Sequence, residues 1–181
     1  SIFDGPRQPP TATPADRRGR LSRPGSEKFP PLRDMDLCFP EHADLNVILG
    51  ADAFMHPELH RPHWKLYPFR GIEVAQFFAM IDFMVYFTTP TWRESFGMVL
   101  AEAIAAGKVV ISDRQTAATF SGAVIAAQPG DVDRIIAGFI ADPAGYRRQV
   151  ERAQAGLAQY SGAAFAAMLT DLLEFPREVA A

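Results

Sequence analysis

The segment from Trp92 to Gly107 constrains the fold of this chain more than any other segment. Residues Ser95 to Ala106 predict a short helix closed by Gly107, and nearly every side chain in it is apolar. A helix that is apolar on all sides belongs in a protein interior, packed on more than one face. Glu102 lies in its middle, and a buried carboxylate is costly unless a partner or water reaches it. We therefore predict that Glu102 faces a cleft.

A second carboxylate precedes the same helix. Glu94 lies eight residues before Glu102, a separation of about 12 Å along a helix axis. Between them is the helix N-terminus, where Ser95 suits the N-cap position and Gly97 lets a ligand approach backbone amides that attract phosphate. This arrangement suits a nucleotide-sugar, with its sugar near Glu94 and its ribose near Glu102. In the alternative interpretation, Glu94 is an acid favoured by the helix dipole and Glu102 reaches solvent.

The rest of the chain predicts strands that alternate with helices, which indicates an α/β, Rossmann-like parallel sheet with helices on both faces. Ligands of such sheets bind outside the carboxyl ends of the strands. Thr88 to Glu94 follows one such end, and Asp113 follows another. The predicted strands are 45–50, 65–69, 83–87, 109–111 and 123–126, and the predicted helices are 73–81, 95–106, 131–140, 143–158 and 162–174.

The residues from Glu94 to Val110 fit the frame E-S-F-G-x-x-x-A-E-A-x-A-x-G-K-x-V. This frame resembles the signature of the group-1 (family 4) glycosyltransferases, and a fainter likeness extends from Gly19 to Leu173. These are retaining enzymes of the GT-B fold, in which two Rossmann-like domains face a cleft. The motif lies in their C-terminal, donor-binding domain. The resemblance implies that Glu94 contacts the transferred sugar and Glu102 the nucleotide ribose.

A second segment resembles the part of that domain that holds the donor diphosphate. Gly19-Arg20-Leu21-Ser22-Arg23, followed by Glu27-Lys28-Phe29-Pro30, implies this role for Arg20 and Lys28. The resemblance also implies transfer without a metal ion or other cofactor, and assistance of front-face attack by the leaving diphosphate. We expect the rest of the donor site to be formed by Ser95, Phe96, Gly97, Met98 and Val99.

The chain departs from the family pattern in three places. Thr11 to Arg18 is a poor strand where relatives open with an aliphatic one, and Arg114 to Thr119 replaces a Gly-rich turn. We expect the family's acceptor-binding N-terminal domain to be missing from this chain. We expect residues 1–18 to be a disordered or linker tail, 19–175 to be the nucleotide-sugar-binding domain, and 176–181 to be a C-terminal tail. A first residue other than Met fits a fragment or a processed product.

The composition of the chain limits the classes of partner that it can bind. The net charge of −3 argues against a platform for nucleic acid or an anionic membrane. A single cysteine, Cys38, excludes an internal disulfide and suits a reducing, cytoplasmic compartment. Apolar runs fall short of the ~20 residues that a membrane span needs. The expected partners are a nucleotide-sugar donor, an unidentified acceptor and the missing acceptor domain.

Several alternatives stay open. The basic cluster Arg17, Arg18, Arg20 and Arg23 fits either a solvated terminal run or phosphate capture. His56, His60 and His63 have a spacing used by zinc sites, but Pro57 and Pro62 interrupt any helix that would align them, so a surface loop or the acceptor side of the cleft is favoured. The alternative function is a truncated or degenerate nucleotide-sugar-binding or interaction domain without activity on its own.

Overall fold

The computed structural model describes residues 5–25, 28–89 and 97–174. Its strands form one parallel sheet in the order β3-β2-β1-β4-β5-β6, which is the order of doubly wound Rossmann sheets. The predicted α/β class is therefore confirmed. The strands are β1 (Arg17–Leu21), β2 (Leu45–Leu49), β3 (Trp64–Tyr67), β4 (Phe83–Tyr86), β5 (Val109–Ser112) and β6 (Ile125–Ala126).

Helices cover both faces of this sheet because successive strand residues point to opposite sides. In β2, Val47 belongs to the apolar cluster on one face and Ile48 to the cluster on the other. The first cluster includes residues of α2 and α3, and the second includes residues of α1, α5 and α6. The helices are α1 (Leu32–Cys38), α2 (Val74–Met80), α3 (Met98–Ala105), α4 (Arg114–Ala118), α5 (Val132–Ala141), α6 (Pro143–Gly156) and α7 (Gly162–Glu174).

The central strand β1 begins at Arg17, inside the segment expected to be a tail and a poor strand. This strand forms despite its charged residues because acidic side chains form ion pairs with them. Arg18 is buried, forms two hydrogen bonds to Asp16 at 2.6 and 2.9 Å, and lies 2.7 Å from the Asp133 carboxylate. A third hydrogen bond joins it to the Cys38 carbonyl at 2.9 Å. A buried strand can therefore carry arginine without an apolar pattern.

Helix α3 begins later than the sequence predicts. Gly97 takes a left-handed conformation with φ of +72° and is the N-cap, so the helix starts at Met98 instead of Ser95. Glycine adopts this conformation without the steric cost that a side chain would bring. Gly107, with φ of +76°, follows the other end, and its amide donates to the Ile104 carbonyl at 3.0 Å. Gly107 therefore closes the helix as predicted.

The segment that precedes β1 contacts the C-terminal end of α3. The Gln8 amide donates to the Ala105 carbonyl at 2.8 Å. The Gln154 side chain on α6 donates to the Gln8 carbonyl at 2.8 Å and to the Ile104 carbonyl at 3.1 Å. Residues near Gln8 are thus attached to the helix that carries Glu102. Within the described ranges, no helix has both the length and the apolar character that crossing a membrane requires.

Candidate functional site

The strand order places a crevice between β1 and β4. From β1 the chain continues to β2 on one side, and from β4 it continues to β5 on the other. Ligands of open α/β sheets bind at such a reversal, outside the carboxyl ends of the strands. A cavity of about 530 Å³ lies there, within the size range of small-molecule sites. Its walls are formed by Leu21, Ser22, Arg23, Lys28, Phe69, Val74, Tyr86, Gly97, Met98, Val99 and Glu102.

The loop that follows β1 supplies two cations to this cavity, Arg23 and Lys28. At the start of the loop, the Ser22 amide donates to the Leu49 carbonyl at 3.1 Å. Gly50, with φ of +82°, lies so close to this point that a Cβ on it would be 1.9 Å from the Ser22 carbonyl oxygen. Both cations therefore extend from a loop whose first residue is fixed against the neighbouring strand.

The N-terminal end of α3 forms the facing wall through Gly97, Met98 and Val99. The first amide groups of any helix point out of its N-terminus, where the dipole is positive. Gly97 has no side chain to keep a ligand away from this backbone. The wall is therefore suited to phosphate oxygens.

Glu102 lies on the same helix, one turn beyond Met98, and is half-buried in the cavity wall. Burial raises the pKa of its carboxyl group above the ordinary value, because desolvation disfavours the charged form. Glu102 and Val74 also border a second cavity, of about 590 Å³, between α2, α3 and residues 6–9. Glu102 therefore borders two cavities.

Arg20 is not part of the cavity wall, although the sequence placed it among the diphosphate ligands. Its side chain is fully buried. The guanidinium lies between two aromatic rings, 4.7 Å from the centroid of Phe29 and 4.3 Å from that of Tyr86. Its Nη2 donates to the Lys28 carbonyl at 2.6 Å. Arg20 thus contacts two residues that line the cavity, Lys28 and Tyr86.

The other arginines of the basic cluster separate into two groups. Arg17 and Arg18 form ion pairs at the amino end of β1, so neither the solvated run nor phosphate capture describes them. Arg23 is exposed and lines the cavity. Glu94, Ser95 and Phe96, which the sequence assigns to the donor site, lie outside the described residues.

Sequence reasoning missed Phe69, Val74 and Tyr86 as site residues. Tyr86 ends β4 and Phe69 follows the end of β3, so both stand at the carboxyl edge where ligands bind. That rule, applied to every strand, would have found them. Asp113, which follows β5, caps α4 by accepting from the Thr116 amide at 2.9 Å and the Thr116 hydroxyl at 2.7 Å.

The histidines of the predicted loop do not converge. Nε2 of His63 lies 3.1 Å from the Phe39 carbonyl oxygen, a main-chain contact. Among residues 5–25, 28–89 and 97–174, no three His, Cys, Asp or Glu side chains are grouped so that they could hold a metal ion.

Solved structures of low sequence identity share this fold. HepE of Anabaena, in complex with UDP and glucose, matches with a TM-score of 0.65 and 20% identity over 88% of this chain and 48% of its own. An α-glucosyltransferase in complex with UDP and a 13-mer DNA matches with a TM-score of 0.68 and 14% identity over 93% of this chain and 54% of its own. TarM matches with a TM-score of 0.66 and 11% identity over 95% of this chain and 38% of its own.

The chain therefore spans about half the length of HepE and of the α-glucosyltransferase. The likeness shows the fold alone, a Rossmann-like α/β domain similar to part of these GT-B glycosyltransferases. No family model matches the sequence, and neither does any curated protein.

Proposed function

We propose that this chain is the donor-binding domain of a retaining glycosyltransferase of the family 4 type, which transfers a sugar from a nucleotide-sugar to an acceptor. One observation carries the proposal. A single cavity at the carboxyl ends of β1 and β4 brings together Lys28, the N-terminus of α3 and the half-buried Glu102. Solved structures of similar fold with bound UDP or UDP-glucose support it.

The donor diphosphate lies against the N-terminus of α3, within reach of Lys28. Negative charge develops on the diphosphate as the sugar departs, and preorganised donors stabilise such charge best where water is excluded. The amides near Gly97 and Met98 and the ammonium of Lys28 are donors of this kind. Transfer needs no metal ion in this proposal.

The ribose lies at Glu102. Glu102 is the fourth residue after Met98, which places it about 6 Å along the helix from the phosphate site. An ionised carboxylate has two oxygens and can accept hydrogen bonds from both vicinal hydroxyls of a ribose. The two cavities that meet at Glu102 leave room for a ligand on either side of it.

The transferred sugar lies at Glu94, with Ser95 and Phe96 beside it. Glu94 orients the sugar, and the leaving diphosphate assists attack by the acceptor on the same face, which gives retention. A second Rossmann-like domain supplies the acceptor site. A cytoplasmic location is part of the same proposal.

A second candidate function is a truncated or degenerate domain that binds a nucleotide-sugar or a protein partner without catalysing transfer. The observation that favours it is that no family model matches the sequence.

Isothermal titration of the whole chain with UDP, GDP and ADP tests whether it binds a donor nucleotide. We expect one nucleoside diphosphate to bind and Glu102→Gln to weaken it about tenfold, the effect of losing one charged hydrogen bond. Glu151→Gln, at an exposed position on α6, is the matched control and leaves affinity unchanged. Silence from all three nucleotides would reject donor binding and favour the interaction domain.

Transfer itself is tested with the matching nucleotide-sugar. We expect the longer enzyme that contains both domains to form a product with the anomeric configuration of the donor, read by NMR. Glu94→Gln lowers its kcat. An inverted product would contradict the retaining assignment and leave donor binding intact.

A further inference from the structure

We propose that the second cavity, between α2, α3 and residues 6–9, binds an aliphatic carboxylate, with the alkyl chain against the apolar wall and the carboxylate at Lys108. The cavity measures about 590 Å³, which is within the size range of small-molecule sites. Lys28, Gly97 and Met98, which are assigned to the donor diphosphate, do not line it. The site is therefore additional to the proposed donor site.

Apolar side chains form most of the wall of the second cavity. Two of the residues in the segment 6–9 that line it are prolines. An alkyl chain bound in such a cavity removes apolar surface from water, and this is favourable in proportion to the area removed. The helices contribute Val74, Ala75, Phe78 and Ala79 from α2 and Ala105 from α3.

The segment 6–9 is anchored where it borders the cavity. The Gln8 amide donates to the Ala105 carbonyl at 2.8 Å, and the Gln154 side chain donates to the Gln8 carbonyl at 2.8 Å. Gly107 lies so close that a Cβ on it would be 2.7 Å from the Pro9 carbonyl oxygen. One wall of the cavity is therefore fixed against the end of α3, next to Lys108.

Lys108 is the cation in the described wall of the second cavity, and its side chain is partly buried. Within the described residues, this side chain has no hydrogen bond and no ion pair. Asp82 lies near enough to influence the ammonium, but its carboxylate accepts two hydrogen bonds from Arg17. Burial lowers the pKa of the Lys108 ammonium, because desolvation disfavours the charged form. A carboxylate bound beside Lys108 would supply the counter-ion that the fold does not.

Glu102 is the anion in the same described wall. Its carboxylate accepts no hydrogen bond from a described residue, and it would repel a carboxylate bound in the cavity. The two charges therefore predict opposite effects. Neutralising Lys108 weakens the binding of an aliphatic carboxylate, and neutralising Glu102 strengthens it. A cavity that bound ligands through apolar contact alone would show neither effect.

The first experiment is calorimetric titration of the whole chain with octanoate and with octanamide, which has the same length but no charge. We expect octanoate to bind about tenfold more tightly, the effect of one hydrogen bond between charged groups, and Lys108→Met to remove this difference. Lys65→Met, at an exposed position on β3, is the matched control and keeps the difference. Octanamide binding shows that each variant is folded.

Two results of this titration would overturn the proposal. The first is an octanoate affinity in the unmodified chain that is no higher than the octanamide affinity. The second is a preference for octanoate that persists in Lys108→Met, because the carboxylate would then bind another cation.

Two further variants test the position of the ligand. Ala79→Phe places a large side chain in the cavity from an exposed position on α2, and we expect it to weaken both ligands at least tenfold. Ala137→Phe, at an exposed position on α5, is its control and leaves both affinities unchanged. We expect Glu102→Gln to strengthen octanoate binding about threefold by removing a repulsion. Unchanged affinities in Ala79→Phe, or weaker octanoate binding in Glu102→Gln, would overturn the site.

Discussion

The carboxylate of Asp82 accepts two hydrogen bonds from the guanidinium of Arg17, at 2.8 and 3.1 Å. Arg17 begins β1 and Asp82 immediately precedes β4, so the pair joins the two central strands at the edge opposite the candidate site. The Asp82 side chain is 1% exposed and that of Arg17 is 38% exposed. Removing one partner therefore has a different consequence from removing the other.

We expect Arg17→Met to lower the free energy of unfolding more than Asp82→Asn does. Arg17→Met leaves a buried carboxylate without its cation, which costs about 3 kcal/mol. Asp82→Asn leaves a guanidinium that water can reach, and costs about 2 kcal/mol through lost charged hydrogen bonds. Urea denaturation of both variants measures the difference, and a larger loss in Asp82→Asn would contradict this account of the pair.

We predict that the Glu102 carboxylate lowers the stability of the empty fold and strengthens nucleotide binding. Burial raises the pKa of Glu102. The native state therefore keeps a proton that the unfolded state releases near pH 4. Because the unfolded state ionises more readily, the fold loses stability as pH rises through this range. We expect Glu102→Gln to be more stable than the unmodified chain at pH 7, with the difference vanishing below about pH 4. Urea denaturation across that range measures it.

We expect the same substitution to weaken nucleotide binding. Residues that serve function commonly lower the stability of the fold. Glu151→Gln is again the control and is expected to show neither effect. A Glu102→Gln chain that loses stability at pH 7 would mean that the carboxylate stabilises the empty fold.

Lys108 carries the opposite pH dependence. Burial lowers the pKa of its ammonium, partly offset by the Asp82 charge. Between the native pKa and the unfolded value of about 10.4, the unfolded chain binds more protons, so stability rises with pH. We expect Lys108→Met to be more stable than the unmodified chain at pH 7, and the advantage to shrink as pH approaches 10. An advantage that stays constant over this range would exclude titration of Lys108 as its cause.

A substitution at Gly107 tests the contact between α3 and the segment that precedes β1. A Cβ at Gly107 would lie 2.7 Å from the Pro9 carbonyl oxygen and 2.8 Å from that of Gln8, and φ is +76°. We expect Gly107→Ala to lower the free energy of unfolding by about 2 kcal/mol, from left-handed strain and from this close approach. Thermal and urea denaturation measure the loss.

Gly138 in α5 offers the matched substitution, since a Cβ there would meet no described atom within 4 Å. Alanine is favoured over glycine inside a helix by about 0.5–1 kcal/mol, so Gly138→Ala should stabilise the chain. Equal effects of the two alanine substitutions would mean that neither the left-handed conformation of Gly107 nor its contact with Gln8 and Pro9 adds to the loss.

Most of the sheet could be predicted from the sequence because most of its strands are rich in apolar residues. β4 is wholly buried, and its four residues are all apolar or aromatic, as a buried strand requires. Gly107 marks the end of α3. β1 could not be predicted in the same way, since the partners of Arg17 and Arg18 include Asp82 and Asp133, which no local window contains. Helices α1 and α4, of seven and five residues, are too short to show a clear periodicity.

The candidate site was predictable in part for a similar reason. The position of Glu102 beside a cleft follows from one charged residue in an apolar helix. The burial of Arg20 does not, because it depends on Phe29 and Tyr86 closing around the guanidinium from two different parts of the chain.

The pairing of β1 with β4 also has a consequence for how this protein folds. One wall of the cavity includes Lys28 and the facing wall includes Glu102. The strands that lead to these walls pair at Arg18–Phe83 and Gly19–Met84. Contacts so distant in sequence form slowly, because a long loop must close first. Ligand capture is therefore expected to appear late during refolding, after the strands on either side have already acquired their local order.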